Sequence, residues 1–160
     1  MATDRAGGGS LFDPSLIRLG LRASDRREAI STLAETLLTA GKVRDSYLDA
    51  VLARESEFPT GLPTPGSAIA IPHTDPEHCV APAVAVGVLR DAVEFEEMGS
   101  PGTILQVRIV FLLSITDPQD HVEWLSRLAS AFHTPELSEG LLDSPSPDHA
   151  HQLLTAGVEH

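Results

Sequence analysis

Residues 107–113 (VRIVFLL) constrain this chain more than any other stretch, because the run is apolar throughout except at Arg108. A strand with one face in water alternates apolar and polar residues, whereas a near-continuous apolar run needs cover on both faces. The run is expected to be a central or near-central strand of a sheet enclosed by helices. Further strands are expected over residues 83–89 (AVAVGVL) and 68–71 (AIAI), the latter ended by Pro72. A shorter strand is expected around Leu16, Ile17, Leu19 and Leu21, interrupted by Arg18 and Gly20.

Between these runs the periodicity is helical. Ile30, Leu33, Ala34, Leu37 and Leu38 recur at i, i+3, i+4, i+7 and i+8, which predicts a helix over residues 24–40. Asp25 followed by Glu28 is a capping-box start, and Gly41 stands where a left-handed C-terminal residue belongs. A second helix is expected over residues 45–56, with Leu48, Val51 and Leu52 on one side. The segment 58–66 (FPTGLPTPG) holds three prolines and two glycines, so it is expected to be a loop without regular structure. After the polar turn at residues 116–119, the pair Asp120 and Glu123 predicts a third helix with His121 as its first residue. Its apolar stripe is Val122, Leu125, Ala129 and Phe132, with Leu128 beside it. Short helices are expected over residues 136–142 and, after Ser146-Pro147, over residues 148–154.

Strands alternating with helices imply an α/β layer structure, here one domain with a mixed, mostly parallel sheet and helices on both faces. A chain of 160 residues suits a single core. Residues 1–10, which include three consecutive glycines, are expected to be a flexible leader, with the folded domain over residues 11–157. The end, Val158-Glu159-His160, has the look of a purification-tag remnant.

Eleven basic against twenty-three acidic residues leave a net charge of −12, which opposes attraction to nucleic acid and to anionic membrane surfaces. A partner presenting a basic docking face fits better. No run approaches the ~18 apolar residues of a membrane helix, and the first ten residues have no hydrophobic segment of a secretion signal, so a cytoplasmic protein is expected. The single cysteine, Cys79, excludes an internal disulfide and serves as a small apolar filler.

Chemistry concentrates at two histidines. His73 follows a strand end, where reaction sites collect in open α/β sheets, and His121 stands at a helix start. A neutral imidazole has a free ring-nitrogen lone pair and attacks phosphorus without a separate base. Phosphoryl transfer then depends on positioning and on donors for the phosphoryl oxygens, for which main-chain N–H groups at the helix opened by His121 are suited. Arg54, closing the second helix, is placed to reach a phosphate. A competing reading is metal binding by His73, Asp75 and His78, completed by His121 or Glu123, although no established metal motif has that spacing. The hydrolase elbow, dinucleotide and P-loop motifs are absent from the sequence.

Together, Arg54-Glu55, the segment 58–62 (FPTGL), Ala68-Ile69-Ala70-Ile71-Pro72-His73 and Asp120-His121-Val122-Glu123-Trp124-Leu125 resemble the type-2 enzyme IIA domains of the phosphoenolpyruvate-dependent sugar phosphotransferase system. The resemblance covers roughly residues 16–154. It implies a mixed sheet with helices on both faces and a phosphocarrier needing no cofactor. It also implies that His73 accepts a phosphoryl group through Nε2 from the phosphocarrier protein HPr and passes it to a cysteine of a IIB component. By the same resemblance His121 stabilises the phosphoryl group and Arg54 is auxiliary. Ser67 stands where some members carry a carboxylate or amide. Thr74-Asp75 after the histidine is similar to the galactitol branch, whereas fructose and nitrogen-regulatory branches continue with glycine. Uptake of a sugar or polyol such as galactitol is the implied role, and a regulatory protein of the nitrogen-branch kind is the alternative.

Overall fold

The computed structural model describes residues 11–159, so the expected leader over residues 1–10, and also His160, lie outside the described residues. In chain order the elements are β1 (Ile17–Leu21), α1 (Arg26–Thr39), α2 (Tyr47–Glu57), β2 (Gly61–Leu62), β3 (Ala68–Ala70), β4 (Ala83–Glu97), β5 (Ser100–Ser114), α3 (Pro118–Ala131), α4 (Glu136–Leu142) and α5 (Pro147–Val158). All five strands join one mixed sheet. β1 runs parallel to β4, β4 antiparallel to β5, β5 parallel to β3, and β3 antiparallel to β2. The β4–β5 hairpin carries the longest ladder, with Val86 opposite Phe111 and Phe95 opposite Leu105.

The apolar run at residues 107–113 is indeed buried on both sides. Val110 and Leu112 of β5 enter one core with Ile30, Leu33 and Leu37 of α1 and Val51 of α2. Ile109, Phe111 and Leu113 enter a second core with Trp124 and Leu128 of α3, Leu141 of α4 and Leu154 of α5. Successive strand residues point to opposite faces, so one strand supplies both cores and helices cover both sides.

Several expectations are corrected. The two main strands are about twice as long as expected, because each continues into a hairpin arm where Val93 and Phe95 are buried while Glu94 is exposed. The two-residue turn Met98-Gly99 closes that hairpin, with Gly99 at φ 79°. Segment 58–66 is not wholly irregular: Gly61 pairs with Ala70 of β3 and with Glu97 of β4. The third helix begins three residues earlier than expected, at Pro118, with Asp117 as its cap accepting from the Gln119 N–H. Val122, assigned to the apolar stripe, is 71% exposed, and the buried positions are Trp124 and Leu128. At the C-terminal end, Val158 closes α5 and is buried, and the Glu159 carboxylate accepts from the Leu11 N–H, so these two residues pack with the fold.

The first helix forms as expected at both ends. Asp25 caps the Glu28 N–H, while the Glu28 carboxylate accepts from Ser24. Gly41, at φ 75°, closes the helix with paired bonds from its own N–H to Leu38 and from the Lys42 N–H to Leu37.

Gly61 has a steric reason to be glycine. A Cβ there would lie 2.7 Å from the main-chain oxygen of Glu96 and 3.3 Å from Leu105. Gly61→Ala should therefore cost about 1–3 kcal/mol of stability, as overpacking commonly does. Urea denaturation would measure it, and an unchanged midpoint would show that the β2–β4 approach is looser than described.

Candidate functional site

The site lies where β3 leaves the sheet. Pro72 has no N–H and cannot extend the ladder, so the chain is held by its neighbours instead. The Ile71 N–H lies 3.1 Å from the Thr60 hydroxyl and 3.3 Å from the Thr60 carbonyl, and the Leu113 N–H of β5 donates to the Pro72 carbonyl at 3.1 Å. His73 follows, only 8% exposed, with its Nδ1 at 2.8 Å from the Ile71 carbonyl. A carbonyl can only accept, so Nδ1 carries the proton and the lone pair is on Nε2. Burial pulls the His73 pKa down to about 4; the nearby His121 and Arg54 act in the same direction, against the Ile71 carbonyl and Asp75. The ring is neutral near pH 7, with Nε2 unprotonated.

His121 arrives from the opposite helix layer, on α3, and its ring centroid lies 5.0 Å from that of His73 at an interplanar angle of 39°. It is the fourth residue of the helix and not the first. The expected main-chain donors at the helix start are already used: the Gln119 N–H bonds the Asp117 carboxylate and the Asp120 N–H bonds the Asp117 carbonyl. What α3 brings to His73 is therefore the His121 ring. Burial first, and Arg54 next, lower the His121 pKa as well.

Arg54, in the last turn of α2, lies over the Phe58 ring at 5.3 Å and 4.0 Å from the exposed Asp75 carboxylate. Two side-chain nitrogens at this site, Arg54 Nε and His121 Nε2, are buried and have no hydrogen-bond partner among the described residues. Buried polar nitrogens left in that condition are uncommon and need a reason. The three residues singled out from the sequence, His73, His121 and Arg54, are thus brought together, with charge coupling among all three.

The metal alternative fares otherwise. The Nδ1 of His78 lies 2.8 Å from the Ser46 hydroxyl, and the Glu123 carboxylate pairs with Arg127 at 2.9 Å. No group of three or more His, Cys, Asp or Glu placed to hold a metal ion occurs among the described residues. His73, Asp75 and His78 do not form the ligand set that their spacing suggested.

One residue of the site carried no role in the sequence reading. Glu55 is 6% exposed, and its two carboxylate oxygens accept from the Thr60 N–H at 3.0 Å and the Thr60 hydroxyl at 2.9 Å. Burial raises its pKa to about 7, against the lowering effect of both Thr60 bonds. Its signal in the sequence was its position, one turn beyond Val51 on the buried side of α2.

Residues 10–157 match the family model described as "Phosphoenolpyruvate-dependent sugar phosphotransferase system, EIIA 2". The chain is 33% identical over 143 residues to the PTS system fructose-specific EIIABC component of Bacillus subtilis, covering 86% of this chain and 21% of that protein, so it spans about a fifth of that relative. It is 30% identical over 129 residues to the PTS system galactitol-specific EIIA component of Escherichia coli strain K12, covering 81% of this chain and 85% of that protein. Among solved structures, the complex of enzyme IIAMTL and phosphorylated enzyme IIBMTL from Escherichia coli contains a chain that superposes with a TM-score of 0.73 at 27% identity, covering 89% of this chain and 95% of that one. No helix among the described residues is long and apolar enough to cross a membrane. The chain belongs to the type-2 EIIA family of the phosphoenolpyruvate-dependent sugar phosphotransferase system, and is a phosphoryl-transfer component of that system.

Proposed function

We propose that His73 accepts a phosphoryl group on Nε2 from HPr and passes it to the cysteine of a IIB component, in the cytoplasm, during uptake of a sugar or polyol such as galactitol. The observation that carries this reading is the Nδ1–H bond of His73 to the Ile71 carbonyl, which leaves Nε2 unprotonated in a ring that burial keeps neutral. In the forward step the Nε2 lone pair attacks phosphorus and the bond to the donor breaks, its electron pair staying with the donor. The ring gains positive charge, which the Nδ1–H···O=C bond stabilises. His121 and Arg54 supply donors to the phosphoryl oxygens; their unpartnered buried nitrogens support that role. In the second step the IIB thiolate attacks phosphorus, the P–N bond breaks, and the neutral imidazole returns. The galactitol assignment rests on Thr74-Asp75 after the histidine, while relatives of both galactitol and fructose type match the chain at similar identity.

Incubation with phosphoenolpyruvate, enzyme I and HPr should label the protein with an acid-labile, base-stable phosphoryl group, and His73→Ala should abolish the label. Unchanged labelling of that variant would remove His73 from the reaction. His121→Ala should still be labelled but more slowly, by on the order of 10²–10³, the usual loss for one transition-state donor. A wild-type rate there would exclude His121 from the charge-stabilising role. The labelled protein should pass its phosphoryl group to a galactitol-type IIB cysteine faster than to a fructose-type one. Equal or reversed rates would end the galactitol assignment, and failure to transfer to either would favour the regulatory alternative.

A further inference from the structure

The Ile71–Pro72 peptide unit has an unusual weakness. Because Pro72 has no N–H, the unit's only polar anchor is the Ile71 carbonyl, and that carbonyl is the group holding His73 Nδ1. Its orientation therefore depends on how the chain is gripped on either side. After it, the Pro72 carbonyl is fixed by the Leu113 N–H of β5. Before it, the Ile71 N–H is fixed by Thr60, and Thr60 in turn is held through both its N–H and its hydroxyl by Glu55.

We propose that Glu55 is a positioning residue for the phosphoryl-accepting ring: through Thr60 it orients the Ile71 carbonyl, and so fixes the tautomer and direction of His73. This deepens the reading of His73 as acceptor and rests on it. The Ile71 N–H occupies a lone pair of the Thr60 hydroxyl, and when Glu55 is ionised it only accepts, so the Thr60 proton then points at Glu55. Each link is a hydrogen bond of ordinary length: 2.9 Å from the Thr60 hydroxyl to Glu55, 3.1 Å from the Ile71 N–H to Thr60, and 2.8 Å between Ile71 and His73. A carboxylate removed from water needs such partners, and Glu55 spends both oxygens on one residue of the segment beside the site. The same chain explains why a loop rich in proline and glycine keeps one defined shape next to the reacting ring: Thr60 is itself buried at 3% exposure.

A merely structural role would change stability alone, so the test reads the histidine itself. Long-range ¹H–¹⁵N correlation of ¹⁵N-labelled protein reports which ring nitrogen of His73 is protonated, and steady-state transfer from phosphorylated HPr through the protein to an excess of IIB acceptor separates kcat from KM. In Thr60→Val the Nδ1–H form of His73 should lose its predominance, and kcat should fall roughly 3- to 10-fold, the equivalent of one ordinary hydrogen bond. KM for phosphorylated HPr should stay unchanged. Thr60→Ser, which keeps the hydroxyl, should restore both readouts, and Glu55→Gln should shift them in the same direction as Thr60→Val. Wild-type tautomer and kcat in folded Thr60→Val and Glu55→Gln would overturn the proposal, as would a change in denaturation midpoint with neither readout moved. If Thr60→Val does not fold, Glu55→Gln decides alone. If the wild-type protein takes no phosphoryl group on His73, the acceptor reading falls while the tautomer measurement still decides whether Glu55 positions the ring.

Discussion

The structure depends on β5 being buried on both faces. A strand sends alternate residues to opposite sides, so Ile109, Phe111 and Leu113 build one core while Val110 and Leu112 build the other. Neither helix layer could be solvated without exposing half of this strand, and about 25 cal/mol is lost for each Å² of apolar surface left in water. The end of the same strand also reaches the site. The Leu113 N–H holds the Pro72 carbonyl, and the Leu113 carbonyl accepts a 2.5 Å bond from the buried Tyr47 hydroxyl of α2. One peptide segment thus joins the core, the second helix and the turn that carries His73.

The chemistry is set by withholding charge from a buried ring in an acidic protein. At a net charge of −12 the surface is strongly anionic, yet the immediate neighbours of His73 include Arg54 and a second imidazole. Burial makes protonation of His73 costly, and the Ile71 carbonyl chooses which nitrogen stays free. Proton placement here comes from the backbone, through the Ile71 carbonyl. The buried carboxylate nearby, Glu55, sits two residues removed from the ring, bonded to Thr60, which in turn holds Ile71.

What could be read from the sequence follows from how local each cause is. The first helix was legible at both ends because Asp25, Glu28 and Gly41 act on backbone groups within a turn of themselves. His73 was legible because an apolar run ended by proline leaves the next residue at a strand end. The start of α3 was missed by three residues: Asp117-Pro118 has the composition of a turn, and equally of a cap followed by a first-turn proline. The outer arm of β4 was missed although Val93, Glu94, Phe95 and Glu96 alternate as a half-wet strand does, because Arg90 and Asp91 interrupt the apolar run where the β4–β5 register shifts. Gly61–Leu62 was hidden by the surrounding prolines, since its pairing needs two strands distant in sequence. The spacing of Glu55 to Val51 placed it on the buried side of α2, but its link to the site was hidden, because a buried acid is explained only by a partner that the fold supplies.

His121 comes from the helix layer on one side of the sheet and Arg54 and Glu55 from the layer on the other, while His73 stands at the strand end between them. Neither layer alone holds all of these side chains. Any opening that lifts α2 away from the sheet separates the imidazole pair from the guanidinium. The relative placement of these side chains therefore reports on the packing of both layers at once, and loosening either one moves a charged or titratable group away from the His73 ring.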